Sequence, residues 1–145
     1  MVSAILAALL IQTLSKSDLI AGGETVGRLG ERTAVCRRLG YPVDELIAED
    51  AANRFARQAA TAGWDQDAII HVIQTGVDLE QASLPFSEPI ADVPADELPF
   101  HAKRLASDAK QLCRQFAESH PGVITDLAQG EQAIDDRFAA ALRAR

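Results

Sequence analysis

Apolar residues recur at three- and four-residue spacings along most of this chain, and glycine or proline marks each break in the pattern. That period lines apolar side chains along one stripe of an α-helix. From Asp18 to Leu39 the stripe is Val26, Leu29, Thr33 and Cys36. Gly40 then suits a left-handed helix stop, Pro42 forbids continuation, and Asp44 offers a side-chain oxygen to cap the next helix. The second helix runs to Ala62 with Ile47, Ala51, Phe55 and Ala59 facing inward. Gly63 and Trp64 close it in a Schellman-type stop, with Trp64 folding back onto the helix. Asp65 caps a third helix, whose Ile69, Ile70, Val72, Ile73 and Val77 give the strongest core signal.

Residues 84–99 break the pattern, with prolines at 85, 89, 94 and 99 and acids at Glu88, Asp92, Asp96 and Glu97. Such a segment is too rich in proline for one helix and too acidic for burial, so it reads as a long crossover loop. Leu98 to Ser119 resumes an amphipathic stripe of Leu98, Ala102, Leu105, Ala109, Leu112 and Phe116, with Ala106 and Cys113 beside it. His120-Pro121-Gly122 ends that helix. The last one starts near Thr125, a suitable cap, and buries Leu127, Ile134, Phe138 and Leu142. The expected fold is all-α: one small bundle of five helices, or six if the N-terminal stretch forms another. Gly23, Gly27, Gly30 and Ala34 make a second stripe on the first helix, which admits a close helix approach or marks a frayed start. Glu24, Arg28, Glu31 and Arg32 exclude a membrane setting for that stripe.

The run from Ala4 to Ile11 is apolar but shorter than the roughly 20 residues that a membrane span needs. Residues 1–22 read either as a secretory signal peptide or as an N-terminal helix, with 23–145 as one α-helical domain. Small residues at Ser15 and Ser17, or at Ala21 and Gly23, offer cleavage points, although no base precedes the run and no Ala-x-Ala occurs.

Composition sharpens the helical reading. Alanine dominates, aromatics are only 5% of the residues, and β-branched runs are few. The net charge of −7 arises almost wholly in residues 64–97, which carry eight acids and no lysine or arginine. An acidic centre argues against binding a phosphate backbone, so no nucleic-acid partner is expected.

Two cysteines, Cys36 and Cys113, lie beside apolar stripes on different helices. Neighbouring helices can bring Cα atoms to about 5.5 Å, as a disulfide requires. A loop of this length would stabilise the chain by roughly 4–5 kcal/mol. Two independent buried thiols are the alternative. A bridge implies an oxidising compartment, which agrees with a signal peptide and points to the periplasm or secretion; free thiols point to the cytoplasm.

Other chemistry finds little support. His71, His101 and His120 fall in no metal-binding spacing, and Asp67 with His71 reads as a solvated helix pair. No nucleophile elbow, phosphate loop or dinucleotide fingerprint occurs, so no catalytic, cofactor-binding or metal residues are assigned and no cofactor is expected. Ala59, Gly63, Ile69 and Val72 sit at helix-turn-helix offsets, and about twenty residues there resemble the DNA-binding corner. The would-be recognition helix nevertheless carries Asp65, Asp67 and Asp78 and no base, so we read an αα corner. The expected function is a non-enzymatic interaction or structural module, exported and acting on an unknown protein partner. The alternative is a cytosolic helix-turn-helix-like regulator or adaptor with two buried free thiols. The sequence leaves the oligomeric state open.

Overall fold

A computed structural model describes residues 14–84, 94 and 96–143. Five helices make up the described chain: α1 (Lys16–Leu39), α2 (Glu45–Thr61), α3 (Gln66–Ala82), α4 (Leu98–Ser119) and α5 (Leu127–Arg143). Among these residues there is no strand, and one isolated antiparallel bridge pairs Val43 with Ile124. Residues 1–13, where a leader or extra helix is expected, lie outside the described residues, as does most of the proline-rich crossover. The side chain of Leu142 lies outside them too.

Local chemistry sets the helix ends. Ser15 and Asp18 form a reciprocal capping box at the start of α1. Asp44 and Asp65 each accept a hydrogen bond from the first turn of the following helix, at Leu46 N and Ala68 N. At α5 the cap is Asp126, which accepts from Gln129 N, rather than the expected Thr125. Thr125 instead donates both its backbone N–H and its hydroxyl to the Pro42 carbonyl, so it serves the β-bridge. Two helices end in Schellman motifs. Gly40, at φ 110°, donates to Arg37 O while Tyr41 donates to Cys36 O; Gly63, at φ 90°, donates to Ala60 O while Trp64 donates to Ala59 O. The left-handed φ explains glycine at both places.

The apolar stripes meet in two clusters. One gathers Leu19, Phe55, Ala59, Ile69 and Val72 from α1, α2 and α3, with Trp64 packed against it. The other gathers Cys36, Tyr41, Ala106, Ala109, Cys113, Phe116, Val123 and Ile134 from α1, α4, α5 and the two bridged loops. The α1 helix runs through both and is continuous across residues 22 and 23. Some side chains depart from the simple pattern. Ile70 is 54% exposed, because Ile69 and Val72 take the inward arc of α3 and residue 70 turns 100° away. Val35, off the expected stripe, is buried, and Thr33 satisfies its hydroxyl on the Leu29 carbonyl.

The closest packing is where α1 crosses α3. A β-carbon added at Gly27 would collide with the Ile73 carbonyl oxygen, and one added at Gly76 would collide with the Glu24 carbonyl oxygen. Each glycine therefore makes room for the backbone of the other helix. Gly23 extends the contact, since a β-carbon there would strike Val72 and Phe55. Gly30, the third member of the small-residue stripe, meets nothing within 4 Å and instead borders a cavity of about 360 Å³ between α1, α2 and α3. Alanine should thus act with opposite sign along one stripe. Gly27→Ala and Gly76→Ala should each cost about 1–3 kcal/mol or more through overpacking. Gly30→Ala should gain about 0.4–1 kcal/mol through helix propensity and a stiffer unfolded chain. Urea melts of the three variants would measure this, and equal effects at all three positions would rule out the crossing described here.

Candidate functional site

The two cysteines sit at the centre of the α1/α4/α5 cluster. Both are fully buried, their sulfurs stand at disulfide-bonding distance, and their Cα atoms are 5.8 Å apart. The Schellman motif at Gly40 turns Tyr41 back over Cys36, so the stop signal of α1 also furnishes the wall of this cluster. Gly130 on α5 faces the Tyr41 ring so closely that a β-carbon there would occupy the ring's position. Tyr41 is 2% exposed, and its hydroxyl has no hydrogen-bond partner among the described residues. Burial, and next the Glu131 carboxylate, push its pKa from the ordinary 10.0 up to about 12.

A polar cluster lies where α1 leaves the α3 crossing. Glu80 near the end of α3 is 2% exposed, although a carboxylate is rarely buried unpaired. Arg32 on α1 donates Nε to Glu80 Oε1 at 2.5 Å, and its Nη2 also pairs with that oxygen. Arg28, one turn earlier, brings Nη1 to 3.5 Å from Glu80 Oε2. No local sequence pattern marks this trio as a unit. A signal was present: Glu80 continues the buried stripe of Val72 and Gly76, and Arg28 and Arg32 follow Gly27 on the facing helix. The stripe carries on after its apolar residues run out, and a carboxylate takes the next position.

The other sequence-level candidates are dispersed. Asp67 and His71 are both exposed on α3. No group of three or more His, Cys, Asp or Glu among the described residues could hold a metal ion. His120 pairs its Nδ1 with Ser119 Oγ at 3.0 Å, while His101 keeps a buried Nε2 without a partner among the described residues. At the α2–α3 corner, Ala59, Ile69 and Val72 are spent in the core, and Asp65 and Asp67 remain exposed. No described helix is long and apolar enough to cross a membrane. A groove of about 590 Å³ opens between the first half of α1 and α3, with Ile20, Trp64, Ala68 and Val72 as its apolar walls and Lys16, Glu24, Asp65 and His71 as its charged and polar lining. No protein-family model, curated protein or solved structure matches this chain.

Two measurements test these environments. Arg32→Ala leaves a buried carboxylate with only the more distant Arg28. It should cost about 2–3 kcal/mol, below the 3–5 of a fully buried pair because Arg32 is itself 26% exposed. Arg28→Ala, at a half-exposed side chain, should cost under about 1 kcal/mol. Equal losses in thermal melts would show that the two arginines share the charge.

The second measurement concerns Tyr41. Below about pH 9 its phenol is protonated in folded and unfolded chains alike. Above it the unfolded phenol ionises first, so stability falls until the folded group ionises near 12. The full loss is roughly 2–3 kcal/mol. Between about pH 9 and about pH 11, urea titrations should therefore show the wild type losing more stability than Tyr41→Phe. Identical slopes would place the hydroxyl in contact with water.

Proposed function

We propose that this chain is a non-enzymatic helical module, exported to an oxidising compartment, that folds as one bundle with an acidic proline-rich crossover and acts on a protein partner through its helix faces. The observation that carries the proposal is the cysteine pair. The chain has two cysteines, and both stand at bonding distance inside a core cluster rather than at a surface where a reactive thiol would work. A covalent bridge there would join α1 to α4 across 77 positions, a constraint suited to a compartment where thiols oxidise.

An interaction role draws support from the groove between α1 and α3. Ile20 on its wall and Leu14 just before α1 are large apolar side chains left exposed. The rim is of mixed charge, Lys16 with Glu24 and Asp65, so the apolar walls suit an apolar helix face with polar residues of both signs at its edges. Of the two expected cleavage points, the one at Ser15 and Ser17 trims only the capping box at the start of α1. A cut at Ala21 to Gly23 would remove Leu19, which is 2% exposed in the core, together with the capping box.

Intact-mass and peptide mapping of the native protein tests the proposal. It expects a Cys36–Cys113 linked peptide and a chain lacking the first residues; two free thiols with Met1 retained would move the protein to the cytosol and to the regulator reading. Stability supplies an independent check. Cys36→Ser, Cys113→Ser and the double variant should each lose about 2–5 kcal/mol, by nearly the same amount. Additive losses would mean that the sulfurs are separate thiols.

A further inference from the structure

We infer that the Arg28–Arg32–Glu80 cluster is a binding site for a small organic monocarboxylate, seated in the cavity that these residues share with the end of α4. The cavity has a volume of about 290 Å³, at the small end of ligand sites, and is bounded by α1, the end of α3 and residues 116–120.

Its charge is unbalanced. Arg32 alone satisfies Glu80 Oε1 through two of its nitrogens. Arg28 faces Oε2 at 3.5 Å, beyond a direct hydrogen bond, and its side chain is 45% exposed. Two guanidiniums against one carboxylate leave one positive charge over the cavity. A planar guanidinium fork is the side chain best matched to a second carboxylate.

The remaining walls narrow the ligand. Leu29 and Phe116 supply an apolar floor, so the ligand is an anion with a short hydrocarbon part rather than a bare inorganic ion. The Thr25 hydroxyl already donates to Ala21 O at 2.8 Å, and Ser119 Oγ lies 3.2 Å from Phe116 O and 3.0 Å from His120 Nδ1. Donors left for the anion are the two arginines and His120 Nε2, with Arg28 the half-exposed guanidinium. A single negative charge balances the surplus, whereas a dianion would bring excess negative charge beside the buried Glu80 carboxylate. The site is separate from the groove at the start of α1, and its use does not depend on the compartment of the protein.

Titration of the full chain with butyrate, followed by NMR of the arginine Nε–H signals and the backbone amides, tests the assignment. Expected are saturable shifts at Arg28, Leu29 and residues 116–120, with a dissociation constant on the order of millimolar. Arg28→Gln should weaken binding about tenfold or more, and Arg28→Lys should weaken it less, since charge survives without the fork. Thermal melts of both variants verify that they are folded. If Arg28→Gln fails to fold, the Arg28→Lys comparison alone decides the matter, and unchanged affinity there overturns the role of the fork. Shifts that stay linear and unsaturated, or that persist in full in Arg28→Gln, overturn the site. Phosphate binding as tightly as butyrate overturns the carboxylate assignment.

Discussion

The crossing of α1 over α3 is the contact on which the α1/α2/α3 core and the buried charge cluster depend. Gly27 and Gly76 let the two backbones touch, each facing main-chain atoms of the other helix. Close approach of this kind multiplies dispersion contacts along the line of crossing, and it leaves little freedom for the helices to slide. It also determines what lies on either side. Toward the start of α1, Gly23 admits Val72 and Phe55 and so completes the α1/α2/α3 core. Toward the end of α1, the same line of residues brings Arg28 and Arg32 against Glu80, where the core gives way to a buried charge cluster. The cluster thus also restrains register: sliding α3 one turn toward the end of α1 would carry Glu80 past Arg32, and the reverse slide would leave it Arg28 alone.

The second core is organised by chain stops rather than by a helix crossing. The Gly40 motif turns Tyr41 inward, the Val43–Ile124 bridge ties the loop after α1 to the loop after α4, and Cys36 meets Cys113 between them. The ladder atoms are explicit: Asp44 N donates to Val123 O at 2.7 Å, and Thr125 N donates to Pro42 O at 3.0 Å. These bonds satisfy backbone groups that two irregular loops would otherwise bury unpaired. Outside this knot, Arg114 with Glu131 and Lys110 with Asp135 link α4 to α5, and Arg137 donates to the Arg38 carbonyl at 2.8 Å. As exposed pairs they add orientation more than stability.

Much of the fold was legible because its signals are local. Caps at Asp44 and Asp65, the stops at Gly40 and Gly63, and the stripe of α4 each depend on residues within one or two turns, which a sequence displays directly. The missed features depend on partners far along the chain. Gly76 looks like a weak point in α3 until Gly27 is known to face it, and Glu80 looks like one more surface acid until Arg32 arrives from 48 positions away. Thr125 is a reasonable cap by residue type, but the bridge to Pro42 claims it and leaves the role to Asp126. Ile70 shows the limit of composition: five apolar residues in nine do not all fit one arc, and geometry exposes one of them.

The reciprocal glycines also bear on how this chain could drift. Most core positions tolerate change when a neighbour changes in compensation, because side-chain volume can be traded between them. At residues 27 and 76 the obstacle is carbonyl and Cα atoms, which every amino acid possesses, so no second substitution can make space. Descendants of this sequence could replace nearly every side chain around the crossing, and lengthen the loops between α1 and α3, and keep the architecture, provided a glycine stays at each of the two facing positions. That reciprocal pair is a signature by which a distant cousin of this chain could be recognised after all other likeness had eroded.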